Sequence, residues 1–276
     1  MILFPNAKIN LGLRVKAKRP DGYHELETVF YPLPVHDILE GIRSDRFSFS
    51  TSGRSIPGTE NDNLILKTWQ LLSADFQLSP VSLHLHKKIP MGAGLGGGSS
   101  DAAFTLLLLN ELFQLALSAE QLRAYALQLG SDCPFFLFNQ PALASGRGEI
   151  LTPLSLPALA GKKFVLVAPP LHISTGWAFA QLEPRTSLQA GAGEPALQHI
   201  LEQPVANWKG LVVNDFEAVV VQHHPVIGQV RDVLYEQGAV YASLTGSGAA
   251  LYGIFDEIPS NIAGAFPADH EVLVSG

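Results

Sequence analysis

The feature that most constrains this chain is a run of glycines between a predicted strand and a predicted helix. Residues 90–103 read PMGAGLGGGSSDAA, with glycines at positions 92, 94, 96, 97 and 98. Glycine lets the backbone adopt positive φ and approach a ligand closely. A turn of this kind at a helix N-terminus presents N–H groups and the positive end of the helix dipole, about half a charge. The segment therefore predicts an anion site, with phosphate as the expected anion.

Three other interpretations of this segment are weaker. Gly92, Gly94 and Gly97 match the spacing of the dinucleotide fingerprint, but no second strand ends in an acidic residue about 20 residues further on. A Walker A loop needs Gly-Lys-Ser/Thr, which is absent here. A ligand-free hinge would not need three consecutive glycines, because each one adds an entropic cost on folding. Phosphate binding is the favoured interpretation.

Composition and charge exclude several classes of protein. With 276 residues, 47% hydrophobic and 16% charged, the chain predicts a globular protein with a substantial core and no membrane span. The early Asn6 and Lys8 predict no signal or transit peptide. The single cysteine, Cys133, suits a reducing cytoplasm. A net charge of −7 argues against a nucleic-acid partner. A small anionic ligand remains compatible, because residues 8–19 gather five cations.

The pattern along the chain predicts an α+β fold rather than a doubly wound sheet. Alternation over residues 7–17 predicts a half-buried strand, with Ile9 on the apolar face and Lys8 on the opposite one. Further strands are expected at residues 25–33, 47–52, 81–85, 135–138, 164–168, 239–244 and 250–255. Helices are expected at residues 63–76, 102–117, 119–130 and 226–237, and a loop at 183–196. A proline-rich stretch predicts a domain boundary, giving domains 1–155 and 156–276.

Three segments in order resemble the small-molecule kinase superfamily that includes galactokinase, homoserine kinase, mevalonate kinase and phosphomevalonate kinase. They are residues 5–11 (PNAKINL), 90–103 and 244–248 (LTGSG). The triple glycine before Ser99, residues 19–24 (RPDGYH) and residues 130–135 (GSDCPF) are similar to one branch. That branch comprises the kinases of 4-diphosphocytidyl-2-C-methyl-D-erythritol, in the non-mevalonate route of isoprenoid (terpenoid) biosynthesis. The resemblance runs from residue 4 to about 255.

The resemblance implies a two-domain α+β kinase. The N-terminal domain would be of the ribosomal protein S5 domain 2-like kind and would bind ATP, and the C-terminal domain would be an α+β sandwich. The enzyme would transfer phosphate from ATP to the 2-hydroxyl of the methylerythritol unit, giving the 2-phosphate and ADP. We expect a monomer or weak homodimer in the cytoplasm, with a small-molecule partner and neither nucleic acid nor membrane.

The resemblance also assigns residues to the nucleotide. The segment from Gly94 to Ser100 would wrap the ATP phosphates, while Asn63 and Lys87 match positions that line the adenine pocket. The predicted cofactor-binding set is Asn63, Lys87, Pro90, Gly92, Gly94, Leu95, Gly96, Gly97, Gly98, Ser99 and Ser100. Mg²⁺ is expected to arrive with ATP. No paired carboxylates identify its ligands, which leaves Ser100 and Asp132 as candidates.

Two residues match the catalytic positions of the branch. Asp132 matches a proposed catalytic base, and Lys8 matches the lysine beside it. An alcohol is a poor nucleophile, so a carboxylate within hydrogen-bond reach can accept its proton. An ammonium nearby would keep that carboxylate ionised and neutralise charge at the transferring phosphoryl group. By residue type alone, Asp132 would be a turn carboxylate and Lys8 a solvent-facing strand lysine.

The substrate positions carried by the resemblance are Asn10, Tyr23, His24, Thr175 and Phe179. The aromatic members would stack on the cytosine ring and contact its polar edge. Gly176 stands where a proline is common in the branch, which makes the position of Phe179 less secure. Three rival functions remain: a sibling kinase of another alcohol, a non-catalytic nucleotide sensor and a nucleotide-dependent dehydrogenase.

Overall fold

The computed structural model of the protein describes residues 1–59, 62–182 and 195–275. The strands in chain order are β1 (Ile2–Leu3), β2 (Asn6–Lys18), β3 (His24–His36), β4 (Ile38–Arg43), β5 (Ser48–Gly53), β6 (Val81–Lys87), β7 (Ala142–Ser145), β8 (Ile150–Pro153), β9 (Lys163–Ala168), β10 (Tyr241–Leu244), β11 (Leu251–Phe255) and β12 (Glu271–Ser275). The helices are α1 (Leu64–Phe76), α2 (Gly97–Leu112), α3 (Ala119–Leu129), α4 (Cys133–Phe138), α5 (Thr175–Gln181), α6 (Leu197–Leu201), α7 (Asp215–His223) and α8 (Pro225–Glu236). No helix among these residues has the length and hydrophobicity needed to cross a membrane.

The chain forms two compact units. Unit 1 comprises Met1–Ala7, Val35–Met91 and Gly96–Gln140, and unit 2 comprises Lys8–Pro34, Gly92–Leu95 and the chain from Pro141 onward. The chain therefore passes between the units several times, whereas the predicted domains 1–155 and 156–276 are consecutive. That boundary stays a prediction.

Unit 1 packs helices on one mixed sheet. Its strand order is β1-β4-β6-β5, in which β6 pairs antiparallel with β4 and parallel with β5. Side chains of β6 alternate in burial, so that Val81, Leu83 and Leu85 face the core. This face packs with the apolar residues of α1 and α2, including Ile65 and Leu106. The alternation and the apolar helix together bury the strand that leads into the glycine segment.

Unit 2 contains two further four-stranded sheets, with strand orders β2-β3-β7-β8 and β10-β11-β9-β12. The second of these is antiparallel throughout, as the hairpin of β10 and β11 shows. Leu13 and Val15 of β2 join a core with Val165 and Val167 of β9 and the apolar side of α8. The mixture of separate sheets and helices confirms the predicted α+β class.

Three predictions about local structure are wrong. Residues 135–138 form α4 rather than a strand: a four-residue apolar run does not distinguish helix from strand, and Pro134 at the start of α4 favours a helix. The helix expected at 102–117 begins at Gly97 and ends at Leu112, because Gly96 is left-handed and starts it early. Strand β2 is buried on both faces rather than half-buried. The predicted loop at 183–196 lies, for residues 183–194, outside the described residues.

Candidate functional site

The glycine segment forms a turn that ends at an uncapped helix. Gly92, Gly94 and Gly96 all have positive φ, of 64°, 78° and 70°. Gly96 is the N-cap of α2 and no side chain caps that end of the helix. The first helical residues therefore offer N–H groups to an external acceptor at the positive end of the dipole. This is the geometry of an anion site.

The glycines serve different purposes. A Cβ at Gly94 would lie 2.1 Å from the carbonyl oxygen of Thr245, and a Cβ at Gly97 would lie 3.0 Å from Lys87 Nζ. Packing therefore requires glycine at position 94, whereas a Cβ at position 97 would require Lys87 or Ile89 to shift slightly. A Cβ at Gly98 would find no atom closer than 3.6 Å. Gly98 is therefore not required by packing, because a Cβ there would make only ordinary van der Waals contact with Met91 and Leu64.

Three charged side chains form a buried cluster in unit 1. The Lys87 ammonium donates to Asp37 Oδ2 at 2.5 Å and to Asp101 Oδ2 at 2.6 Å. The side chains of Lys87 and Asp37 are fully buried and that of Asp101 is 5% exposed. Burial raises the pKa of Asp101 to about 7, and the Lys87 ammonium opposes that rise. Lys87 thus has two protein carboxylates as its partners, and its assignment to the adenine pocket stays a prediction.

The other nucleotide candidates lie around the same segment. Asn63 caps α1, its side-chain oxygen accepting from the N–H of Ile65 at 2.9 Å. Pro90, Leu95 and Ser100 are buried, while Ser99 is half-buried and Gly92 is exposed. Among the residues that the structure describes, Ser100 Oγ is buried without a hydrogen-bond partner. A buried hydroxyl in the first turn of α2 is a polar group that can still form a hydrogen bond or bind a ligand.

Asp132 lies in the turn between α3 and α4 and is half-buried. It occupies the N-cap position of α4 but its side chain caps no N–H of that helix. A Cβ at Gly130, in the same turn, would lie 3.3 Å from Cys133 Sγ and 4.0 Å from Ser99 Oγ. The turn that carries Asp132 therefore packs against the first turn of α2. This places a carboxylate-bearing turn beside the anion site within unit 1.

Lys8 and Asn10 belong to a buried network in unit 2. Lys8 Nζ donates to Asn10 Oδ1 at 2.7 Å and lies 4.9 Å from the centre of the Phe30 ring. Asn10 Nδ2 donates to Thr28 Oγ1 at 3.0 Å, and the Asn10 N–H donates to Thr245 Oγ1 at 3.1 Å. The Lys8 N–H also donates to the carbonyl of Leu95, at 2.9 Å. Lys8 is 3% exposed, so the expectation of a solvent-facing strand lysine, made from residue type alone, is wrong.

An aromatic group forms a second region of unit 2. The rings of His24 and Phe179 stack with centroids 4.5 Å apart and planes at 13°, and Phe179 packs edge-on against Phe216. Tyr23 is half exposed, and the Arg147 guanidinium lies 4.9 Å from the centre of its ring. Burial lowers the pKa of His24, with a further lowering from Lys18. The group offers aromatic faces and a neutral imidazole near the surface.

The structure brings several of the predicted site residues together in two sets. Gly97, Ser99 and Lys87 come together in unit 1, with Asp132 on the adjoining turn; Lys8, Asn10, Gly94 and Leu95 come together in unit 2. Thr175 forms a hydroxyl pair with Ser247 at 3.0 Å, two residues along the chain from Thr245. Sequence reasoning assigned no role to four residues with evident structural parts, namely Asp37, Asp101, Thr245 and Arg147.

One feature of the sequence indicated that Lys87 needs carboxylate partners such as Asp37 and Asp101. Lys87 continues the alternation of Val81, Leu83 and Leu85 and so falls on the core face of β6. A charge on a core face requires a partner. Asp101 follows the serines directly and was available for that role. Among the described residues, no group of three or more His, Cys, Asp or Glu side chains could hold a metal ion.

Comparison with known proteins gives consistent matches. Residues 63–140 match the family model of the GHMP kinases N terminal domain, and residues 197–270 match that of the GHMP kinases C terminal. A 4-diphosphocytidyl-2-C-methyl-D-erythritol kinase of Bacteroides thetaiotaomicron is 50% identical over 261 residues, covering 93% of this chain and 92% of that protein. The enzyme of the same name from Cytophaga hutchinsonii is 48% identical over 259 residues, covering 94% of each.

Solved structures agree in fold. A crystal structure of a 4-(cytidine 5'-diphospho)-2C-methyl-D-erythritol kinase superimposes with a TM-score of 0.80 at 32% identity, covering 100% of this chain and 98% of that one. The mevalonate kinase of Methanococcus jannaschii gives a TM-score of 0.73 at 12% identity, covering 100% and 97%. This second similarity shows a shared fold alone.

Proposed function

This chain belongs to the GHMP kinase family and is an ATP-dependent kinase, and from this premise we propose its substrate and the roles of its residues. The substrate is 4-diphosphocytidyl-2-C-methyl-D-erythritol, as named for relatives that are about half identical over most of the chain. The γ-phosphoryl group of ATP is transferred to the 2-hydroxyl, giving the 2-phosphate and ADP in the non-mevalonate isoprenoid pathway.

The observation that carries this proposal is the packing of the Asp132 turn against the uncapped N-terminus of α2, where Cys133 Sγ and Ser99 Oγ both lie within 4.0 Å of the Cβ position of Gly130. Phosphoryl transfer to an alcohol needs an anion site and a proton acceptor close to it. Unit 1 supplies both on adjoining segments. The structural neighbour of the same name supports the assignment, because it covers the whole chain.

The glycine turn and the first turn of α2 bind the ATP phosphates in this proposal. Their N–H groups and the helix dipole stabilise negative charge. Asp132 accepts the proton of the 2-hydroxyl as the new bond to phosphorus forms, and the transfer is direct, without a phosphoenzyme. Lys8 contributes a positive charge toward the transferring phosphoryl group. Asn63, Pro90 and the turn before α2 hold the nucleotide.

The aromatic group binds the cytosine ring. Aromatic faces stack on any base, and the choice of base comes from contacts to its polar edge. Tyr23 supplies a half-exposed face, and His24, which stays neutral at pH 7 because its pKa is lowered by burial, can exchange hydrogen bonds with the base. Asn10 and Thr175 contact polar groups of the sugar alcohol and its phosphates.

Magnesium arrives bound to ATP. Mg²⁺ keeps most of its water and nucleotide ligands and takes only one or two groups from a protein. The buried hydroxyl of Ser100, which has no hydrogen-bond partner among the described residues, fits such a role. When bound, the ion would neutralise charge on the phosphates of the nucleotide.

We also propose that the enzyme works in the cytoplasm as a monomer or weak homodimer. Its one cysteine, Cys133, carries a buried free thiol, and burial raises the pKa of that thiol to about 12. Such a thiol is unreactive toward oxidation, which suits a protein that needs no disulfide. Light scattering over a range of concentrations tests the oligomeric state.

The proposed substrate is tested with a panel of alcohols. ADP release from Mg·ATP is measured with 4-diphosphocytidyl-2-C-methyl-D-erythritol and, in parallel, with mevalonate, homoserine and galactose. We expect turnover with the cytidyl compound alone. Turnover with another alcohol would contradict the assignment of the substrate and of its aromatic pocket. Binding of ATP without turnover on any of the four would contradict kinase chemistry on these substrates.

A further inference from the structure

The buried cluster of Lys87, Asp37 and Asp101 connects the two segments that flank the glycine turn. On the side before the turn, Asp37 Oδ1 accepts the N–H groups of Lys88 at 2.5 Å and Ile89 at 2.8 Å. On the side after the turn, Asp101 lies in α2, four residues beyond its first residue. Lys87 bridges the two carboxylates. The cluster therefore fixes the spacing between the end of β6 and the start of α2.

The cluster also lies directly against the first turn of α2. Lys87 Nζ is 3.0 Å from the position that a Cβ of Gly97 would occupy, so the ammonium fills the space beneath that residue. Gly97 is itself buried, whereas Gly98 and Ser99 beside it are half-buried. One side of this helical turn thus rests on the charge cluster and the other side remains accessible to a ligand.

A buried ion pair is a weak source of net stability, because removing the charges from water offsets most of their attraction. The pair nevertheless requires an accurate geometry, because a charge left unpaired in the interior raises the free energy of the folded protein. A cluster of three charges therefore tolerates only a narrow range of positions for the groups that carry it. Here those groups are the segments that form the phosphate site.

Resting on the proposed function, we propose that Lys87, held by Asp37 and Asp101, is a positioning residue for the ATP phosphates and does not contact the nucleotide through its ammonium. The cluster orients the N–H groups of the first turn of α2. Loss of one carboxylate then loosens that turn and weakens phosphate binding, while the aromatic region and its ligand are unaffected.

The experiment measures binding of Mg·ATP and of magnesium tripolyphosphate by calorimetry, in the absence of any alcohol. The variant Asp101→Asn keeps the shape of the side chain and an oxygen for Lys87. We expect its Kd for both ligands to rise about tenfold, to the same extent for each, while the KM for the alcohol stays within about twofold. Lys87→Met, which leaves two carboxylates facing each other, is expected to produce a larger rise.

The matched control is Leu72→Ala, which removes a fully buried side chain of α1 in the same unit. It is expected to lower the melting temperature and to leave the Kd of folded protein for ATP unchanged. A rise in Kd for Leu72→Ala equal to that for Asp101→Asn would overturn the proposal, because the effect would then follow stability alone.

Two further outcomes would also overturn it. An unchanged Kd in Asp101→Asn would show that the cluster does not affect the phosphate site. A rise for ATP with none for tripolyphosphate would show that Lys87 acts on the adenosine part instead. Because no alcohol is present in the binding measurements, they decide the role of the cluster even if the enzyme proves to phosphorylate a different alcohol.

Discussion

The charge cluster of unit 1 and the aromatic group of unit 2 differ in the interactions that hold them together. Lys87, Asp37 and Asp101 are buried and bound to one another by short ion pairs. Tyr23, His24 and Phe179 are partly exposed and contact their neighbours through ring faces. The first arrangement is directional and rigid, whereas the second is broad and adaptable.

This difference has a functional meaning. A triphosphate needs several N–H donors at fixed positions, which a helix terminus supplies only if its orientation is fixed. A planar base needs a face to stack on and a few edge contacts, which tolerate small movements. We therefore expect substitutions in the two regions to affect different ligands. Changes near α2 should weaken binding of ATP, and changes in the aromatic group should weaken binding of the cytidyl substrate.

The largest expected effect is on turnover, and it comes from a substitution that should leave the affinities for ATP and for the cytidyl substrate nearly unchanged. Asp132→Asn keeps the size of the side chain but cannot accept the proton of the alcohol. Turnover should fall by about 10²–10⁴-fold, as is typical of the loss of a general base, with both KM values within about threefold. Steady-state kinetics on folded protein, checked by circular dichroism, provides the measurement. Near-normal turnover would remove Asp132 from the mechanism.

Two glycines of the same segment should respond in opposite ways. Gly94→Ala places a methyl group against the Thr245 carbonyl in a left-handed residue, and should lower the free energy of unfolding by about 3 kcal/mol. Gly98→Ala makes only ordinary van der Waals contacts in a helix, so stability should stay equal or rise by up to about 1 kcal/mol.

Gly98→Ala should nevertheless weaken ATP binding about tenfold, because it adds a methyl group to the half-buried first turn of α2, to which we assign the phosphates. Urea unfolding and calorimetry measure the two quantities. If Gly98→Ala binds ATP as tightly as the unmodified protein, the phosphates do not approach this side of α2.

A smaller and selective effect is expected in the aromatic group. His24→Ala removes a stacked ring and an edge contact, each worth on the order of 1 kcal/mol or more for a base. The KM for the cytidyl substrate should rise about tenfold while the KM for ATP stays unchanged. His36→Ala is the matched control, since His36 lies on the same strand, β3, and burial also lowers its pKa. Equal effects from both variants would contradict a specific role for His24.

The smallest effect concerns pH. The pKa of His24 is lowered from its ordinary 6.5, first by burial and then by Lys18. The unfolded chain therefore takes up this proton at a higher pH than the folded protein does, so the contribution of neutral His24 to stability is present above pH 6.5 and is lost as the pH falls below it. Melting temperatures between pH 8 and 5 should fall less for His24→Phe than for the unmodified protein. Parallel curves would contradict this.

The sequence predicted the parts of the fold that depend on local chemistry. The alternation of β6, the capping box of Ser118 and Gln121, and the turn between β10 and β11 are all present in the structure. The predicted strand at residues 135–138 was wrong because a short apolar run that is buried by tertiary packing has the same pattern in a helix as in a strand. The family predicted from five motifs in order is confirmed by the family models and the relatives.

Several buried polar contacts join residues far apart in the sequence, and their partners were beyond sequence reasoning. Asp37 lies 50 positions from Lys87 along the chain, and Thr28 lies 18 positions from Asn10. No local pattern connects such residues, because only the strand pairing brings them together. The roles of Asp132, His24 and the other site residues stay predictions until the variants are measured.

The central claim is that phosphate is transferred to the 2-hydroxyl of 4-diphosphocytidyl-2-C-methyl-D-erythritol. The most direct test is ³¹P and ¹³C NMR of the product formed from Mg·ATP and this compound. We expect one new phosphomonoester whose phosphorus couples to the quaternary carbon that bears the methyl group, together with one equivalent of ADP. A phosphomonoester on any other hydroxyl, or an unchanged cytidyl compound in the presence of active, ATP-binding enzyme, would contradict it.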